Sequence, residues 1–308
     1  MRGCACGDRD GVSSPELGVA HVSCLAEQAK LLVAEAEENN LGAKAWNERW
    51  RQWYTCSLCE QNYHGVVRCA LGWACWKTYV GRPDKISCQF HALAQLGIGL
   101  RLVKRFEEAL SVARCELAHI QDNERNVDLK CQRIASCQGD IAIILSKMGK
   151  CKEAAAEHKN VYDLARETCG VESPLTLGTA RNFACSLIRV GRSAEARSLV
   201  LKYLPIAQRI YGGLDNAKII LMRAILAETL WKGEVTLDDA TEAVAILEDI
   251  SQRSSRVNGI SHPKTLQLQE ELKSARMVFD VARARPAGIV LVKMDGGRML
   301  IAGYKRVS

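Results

Sequence analysis

Between Ser173 and Gly212 the apolar residues recur every three or four positions, first over PLTLGTARNFACSLIR and then over SAEARSLVLKYLPIAQRIY. That period marks amphipathic helices, so the stretch reads as two helices joined by a short turn at Gly191. The same beat runs before and after it. Gly149, Gly191 and Gly233 lie 42 residues apart, and each ends one apolar-periodic helix. An acidic–alanine pair opens the helix that follows: Glu153-Ala154, Glu195-Ala196 and, after two extra residues, Asp239-Ala240. An earlier copy places Lys104 at the glycine position and carries Glu108-Ala109. A fixed period of this size with two helices per unit predicts a helical solenoid, because an isolated helix pair cannot bury its apolar face and stacking can.

The joints between units follow a pattern too. ETCGVESPLTL, RIYGGLDNAKI and RVNGISHPKTL each set a glycine before a polar, turn-forming segment. Pro174 and Pro263 stand where a proline opens a helix at little cost. A small residue recurs in the first helix at Gly97, Ala142 and Ala184, and Leu226 replaces it in the fourth copy. The helix from Pro263 to about Arg285 has no partner after it and reads as a cap, with Gln267, Glu270, Glu271 and Lys273 on one exposed side. Ahead of the array, Leu25, Ala29, Leu32, Val33 and Ala36 mark one face of a helix, and Trp46, Trp50 and Trp53 form a stripe at helical spacing suited to packing. A further helix over Gly65–Val80, closed by Gly81 and stopped by Pro83, holds Cys69 and Cys75 as packing residues. In the tail, IVLV and MLIAGY around Asp295-Gly296-Gly297 predict a two-stranded hairpin. The organisation is therefore a 1–64 segment with a long helix, repeats over 65–285, and a 286–308 tail. The fold class is all-α: a right-handed helical-repeat solenoid behind a small N-terminal segment.

Composition narrows the function. The net charge of +7 is spread through helices with acidic residues between, so no nucleic-acid partner is expected. No apolar run reaches membrane-span length, and MRGCACGDRD has no apolar core, so a cytoplasmic or nuclear protein is expected. No phosphate-loop, zinc-protease or nucleophile-elbow motif is present. His91, His119 and His158 fall within helix patterns and read as packed or surface residues. The chemistry lies in the cysteines. There are 14, of which seven precede residue 76, and they come with histidine in ordered pairs: Cys4-x-Cys6, His21-x-x-Cys24 and Cys56-x-x-Cys59, with His64 close behind. Outside a secretory route such pairs read as metal ligands, since a tight turn lets each supply half of a tetrahedral zinc site.

Two resemblances refine this reading. The order Cys-x-Cys, HVSCLAEQA, helix, CSLCEQNYH resembles the later part of a RING-variant (RING-CH) finger. That resemblance implies a complete zinc site of Cys4, Cys6, Cys56 and Cys59, and assigns His21 and Cys24 to a second site. The family's first cysteine pair has no counterpart, leaving a half-site that is empty, that recruits His64 or Cys69, or that belongs to a shortened finger. Such fingers recruit ubiquitin-conjugating enzymes and supply no nucleophile. The repeat wording resembles tetratricopeptide repeats of the kinesin-light-chain kind, which implies a groove lined by first helices. By that likeness Asn182 stands where an asparagine bonds a peptide backbone, with Gln95, Asp140 and Ala224 at equivalent positions and Arg181, Arg189 and Arg223 adding positive character. The favoured expectation is a non-enzymatic intracellular interaction scaffold: a zinc-binding head and a repeat array that takes a protein or peptide. The alternatives are a RING-variant ubiquitin ligase whose repeats select substrate, and a structural repeat protein without metal.

Overall fold

Glycine at the turn of each helix pair has a visible cause. Gly149, Gly191 and Gly233 take φ of 81°, 80° and 95°. This is the left-handed region, where a side chain is strained. At the corresponding position Lys104 takes φ of 63° without being glycine. The structure, a computed structural model, describes residues 21–58, 60–284, 288–295 and 298–306. The chain divides into two units, 1–150 and 151–308.

In the first unit the described elements are α1 (Val22–Glu38), α2 (Ala43–Trp50), α3 (Gly65–Tyr79), α4 (Ile86–Leu102), α5 (Phe106–Asn123) and α6 (Val127–Lys147). The tryptophan stripe packs as the periodicity predicts. Trp50 and Trp53 are buried with Ala29, Val33, Cys75 and Tyr79, and Trp46 stacks on Trp50 at 5.0 Å. One close seam is new. A Cβ on Gly72 of α3 would lie 2.8 Å from the Gln95 carbonyl oxygen, and one on Gly99 of α4 would lie 2.8 Å from the Cys69 Cα. Glycine on both helices is what lets α3 and α4 touch backbone to backbone. Gly97, the small residue expected in α4, faces Val112 of α5 at an ordinary 3.7 Å.

The second unit holds α7 (Cys151–Cys169), α8 (Pro174–Arg189), α9 (Ser193–Tyr211), α10 (Ala217–Trp231), β1 (Gly233–Val235), α11 (Leu237–Asn258), α12 (Pro263–Arg283), β2 (Gly288–Asp295) and β3 (Arg298–Arg306). The first helices are capped in the same way. The side chains of Ser173, Asn216 and His262 accept from the backbone N–H two residues on, before α8, α10 and α12. The alanines of the acidic–alanine pairs, Ala196 and Ala240, are fully buried, as are Tyr203 and Leu230 in the same core. Ion pairs tie successive units of the repeat: Arg209 with Glu172, Arg197 with Asp239 at 2.7 Å, and Arg253 with Asp215 at 2.9 Å. Exposed pairs of this kind contribute at most about 1 kcal/mol each, so they set register more than stability.

The all-α expectation needs one correction. The tail hairpin forms, with β2 and β3 antiparallel from Gly288↔Arg306 to Asp295↔Arg298. It acquires a third strand from inside the array. Gly233, Glu234 and Val235 pair antiparallel with Val292, Leu291 and Val290. These are the residues that lengthen the fourth turn, so the two-residue insertion has a structural use. Val235, Val290 and Val292 are buried in one core with α10, α11 and α12. Burial on the helices offsets the marginal stability of a lone hairpin.

Lys104→Gly should stabilise the first unit by about 0.5–1 kcal/mol, and Gly191→Ala should destabilise the second by about 1 kcal/mol, both read from denaturant midpoints. A second prediction concerns pH. His158 of α7 is 7% exposed, shares a 2.6 Å hydrogen bond through Nδ1 with Ser186 Oγ, and its buried Nε2 has no partner among the described residues. Burial and the nearby Arg189 lower its pKa from 6.5 to about 4. The unfolded chain takes up a proton below pH 6.5 that the folded chain refuses until about pH 4. The stabilisation is therefore complete at neutral pH and lost as pH falls through that window, at about 1.4 kcal/mol per pKa unit. Unfolding titrations should show His158→Gln flattening this loss; an unchanged slope would count against the assignment.

Candidate functional site

The first helices of the second unit, α8, α10 and α12, carry the face expected to meet a partner. Asn182 of α8 is half-buried, and its Oδ1 accepts from the Arg181 guanidinium at 3.0 and 3.3 Å. The amide is thereby oriented by its own neighbour. Cys185 lies one turn further on, half-buried, with its thiol pushed up to about 11 by burial and then by Glu228, against the opposing pull of Arg181 and Arg189. At neutral pH it is protonated and serves as an apolar surface rather than a nucleophile.

Beyond it a cleft of about 70 Å³ opens between α10 and α12, floored by Ile220, Leu221, Ala224 and Leu268. Ala224 is the position equivalent to Asn182. Glu271 stands at the rim. Burial raises its pKa above the usual carboxylate range, Gln267 donates an amide hydrogen bond at 2.9 Å, and Glu228 raises it further. Glu228 is itself paired with Lys232. Among the described residues no cation forms an ion pair with Glu271, but Lys232 acts on it at longer range and lowers its pKa, and Lys264 lines the same cleft. The sequence placed Glu271 on an exposed side of the cap; the carboxyl is in fact half-buried in the cleft, while Gln267, Glu270 and Lys273 are exposed. Helix period alone does not separate these, because it does not show which side of α12 meets α10.

Arg223 corrects the expected positive character. Its guanidinium pairs with Asp249 of α11, which also receives Arg253 at 2.9 Å, and its side chain is only 16% exposed. The face thus offers apolar surface and a desolvated carboxyl.

In the first unit the equivalents of Asn182 are engaged internally. Gln95 of α4 accepts from the Nη2 of Arg68 of α3. Arg68 is buried, its guanidinium lies 5.2 Å from the Tyr54 ring centroid, and burial lowers its pKa to about 10. Asp140 of α6 lies 3.8 Å from Arg101 and has its pKa raised by burial. It faces Glu116 of α5, whose carboxyl is pushed up to about 8 by burial and by Asp140. Sequence reading also missed a broad hollow of about 880 Å³ in this unit, lined by Trp46, His91 and Arg133 among others. Its signal was the tryptophan stripe, but His91, 5.5 Å from Trp46, comes from a helix distant in sequence.

Of the residues assigned to zinc, Cys4, Cys6 and Cys59 lie outside the described residues. Cys56 is buried with Tyr63, Val67 and Leu71, against Val22 and Leu25 of α1. Its backbone belongs to a tight loop closed by a Thr55↔Asn62 bridge. The Cys56 N–H donates to the Gln61 carbonyl and its own carbonyl accepts from the Glu60 N–H, both at 2.9 Å. Glu60 takes φ of 57°. A turn this tight is what a Cys-x-x-Cys pair needs to aim two thiolates at one ion. His21 is an exposed N-cap of α1 whose side chain makes no capping bond, and Cys24 is exposed one turn on. His64, the N-cap of α3, is exposed as well, and Cys69 is buried with its thiol pKa raised by that burial. Among the described residues no three His, Cys, Asp or Glu side chains gather around a common point.

Residues 133–209 match the tetratricopeptide repeat family. No curated protein matches the sequence at a significant level. Among solved structures, a Podosopora anserina kinesin light chain with nearly identical TPR-like repeats is similar at 18% identity, covering 64% of this chain and 93% of that one, with a TM-score of 0.48. BtubC (BKLC) from P. vanneervenii is similar at 13% identity over 86% of this chain and 91% of that one, with a TM-score of 0.46. Among the described residues no helix is long and apolar enough to cross a membrane. The described residues are mostly helical, and the match to the tetratricopeptide repeat family spans residues 133–209.

Proposed function

We propose that this chain is a protein-interaction scaffold, with a zinc-binding N-terminal segment and a second unit that receives a peptide or protein on the α8–α10–α12 face. The observation that carries the reading is the α10–α12 cleft, an apolar hollow with the half-buried carboxyl of Glu271 at its rim. A half-buried carboxyl that forms no direct ion pair is costly, and a basic group on a ligand that reaches it relieves that cost. The partner is an extended segment that places an aliphatic side chain in the cleft and a Lys or Arg beside Glu271, with its backbone bonded by Asn182. The half-buried, protonated Cys185 thiol adds contact surface, so the face binds and does not react.

Zinc is held in the same proposal by Cys4, Cys6, Cys56 and Cys59, with His21 and Cys24 as a further half-site. The tight loop around Cys56 supports it. The metal fixes the fold of the head and takes no part in a reaction there.

A displayed peptide library selected on the chain tests the repeat face. Enriched peptides should share an aliphatic–basic pair, and Asn182→Ala and Glu271→Gln should each weaken them by about tenfold. Selected peptides indifferent to both substitutions would remove the face from consideration. Metal analysis tests the head: about one zinc per chain, reduced by Cys56→Ser, is the expected result, and a value near zero in the unmodified chain overturns it.

A further inference from the structure

In the first unit, three stretches distant in sequence converge on the hollow of about 880 Å³. They are the corner between α1 and α2, the start of α4, and the first turns of α6. Leu129, Gln132 and Arg133 lie three and four positions apart, so a single face of α6 lines it. Small organic ligands are held in spaces of about 300–1,000 Å³.

Two rings and one guanidinium form its fixed walls. Trp46 is half-buried and stacks on the buried Trp50, with ring centroids 5.0 Å apart and planes 14° apart. His91 of α4 lies 5.5 Å from Trp46 and 5.4 Å from Trp50. Burial and the nearby Arg133 lower the His91 pKa to about 4, so the imidazole is neutral at neutral pH. Arg133 is gripped on two sides. Its Nε lies 3.4 Å from Glu124 Oε2, and its guanidinium carbon lies 4.4 Å from the Phe90 ring centroid. Its Nη1 is shielded from water and has no hydrogen-bond partner among the described residues. A donor left in that state costs free energy, which an acceptor brought in by a ligand recovers.

We propose that this hollow binds an uncharged, planar heteroaromatic small molecule, its ring stacked on Trp46 and a ring carbonyl oxygen accepting from Arg133. Charge in the walls selects that class. Lys85 is taken up by Glu37 at 2.5 Å, and Glu37 also accepts from Cys88 Sγ at 3.5 Å. Asp84 adds a negative charge that acts on Lys85. A phosphate or carboxylate would have to displace Glu37 or Glu124, and a cation would meet Lys85 and Arg133. A neutral ring disturbs neither pair. Leu41 and Leu129, 38% and 44% exposed, add apolar surface to the lining. The exposed amides of Asn40, Asn47 and Gln132 offer both donors and acceptors to the polar edge of a heterocycle. This ligand is additional to the peptide proposed for the second unit.

Guanosine and riboflavin are the probes, each titrated into the full chain by calorimetry. Saturable binding of at least one is expected, with tryptophan fluorescence quenched as the ring covers Trp46. Affinity should fall by about tenfold in Trp46→Leu and in Arg133→Met. Trp46 also packs on Trp50, so Leu129→Glu, at an exposed position, is the second variant. It should weaken binding to the same degree with an unchanged melting transition. Guanosine 5′-triphosphate should bind more weakly than guanosine. Asn182→Ala and Glu271→Gln should leave binding unchanged, which separates this hollow from the repeat face. No saturable binding of either probe, or binding indifferent to both Arg133→Met and Leu129→Glu, overturns the proposal. Tighter binding of the triphosphate overturns the uncharged class.

Discussion

The constraint on which the second unit depends is that a helix pair has one apolar face and no means of burying it alone. Every other feature follows from stacking pairs closely enough to do so. Alanine is fully buried at Ala196 and Ala240 because a larger side chain would hold the two helices of a pair apart. The turn between them must reverse within a few residues, which places its central residue in the left-handed region. The joint between pairs must start the next helix at a fixed place, and Ser173, Asn216 and His262 do this by accepting a backbone N–H. Among the described residues α12 is followed by strands, and Val235, Val290 and Val292 supply apolar surface to the core that includes its Val278 and Ala282. The sheet there packs on α12 where a further helix would pack in the stack.

The repeat was legible because its determinants are local. Turn glycines, helix-opening prolines and acidic–alanine pairs recur at one period, and each acts through backbone geometry within its own turn. The hairpin was legible for the same reason. What could not be read was any pairing between distant residues. Gly233, Glu234 and Val235 look like a lengthened turn until β2, more than fifty residues later, gives them a partner. Gly72 and Gly99 look like ordinary helix residues until α3 and α4 are seen to meet backbone to backbone. Arg223 looked like a free cation on a first helix, and only the packing of α10 on α11 shows Asp249 taking it up.

Electrostatics on the repeat face therefore depart from the first expectation at Arg223 and Glu271, while Arg181 and Arg189 still act on Cys185 there. Arginines counted along first helices suggested a groove for acidic segments. Arg223 is consumed by a carboxylate on a second helix, Arg181 lies on Asn182, and the group left desolvated is Glu271.

Burial sets the chemistry of four cysteines. Burial pushes the thiols of Cys75 and Cys137 far up, that of Cys88 to about 12 and that of Cys185 to about 11. A zinc ligand must give up its proton, so a thiol whose ionisation is penalised by burial among helices is a poor ligand and a good packing group. These four lie in helices α3, α6, α4 and α8, where the apolar period asks for small residues. The residues that stand apart are those in sequence pairs near the start of the chain. Of these, Cys24 is exposed and Cys56 heads a tight loop outside any helix. Spacing in the sequence singles out the paired cysteines, whereas burial does not separate them from the rest: Cys56 is buried, while Cys115 of α5 and Cys169 of α7 are exposed.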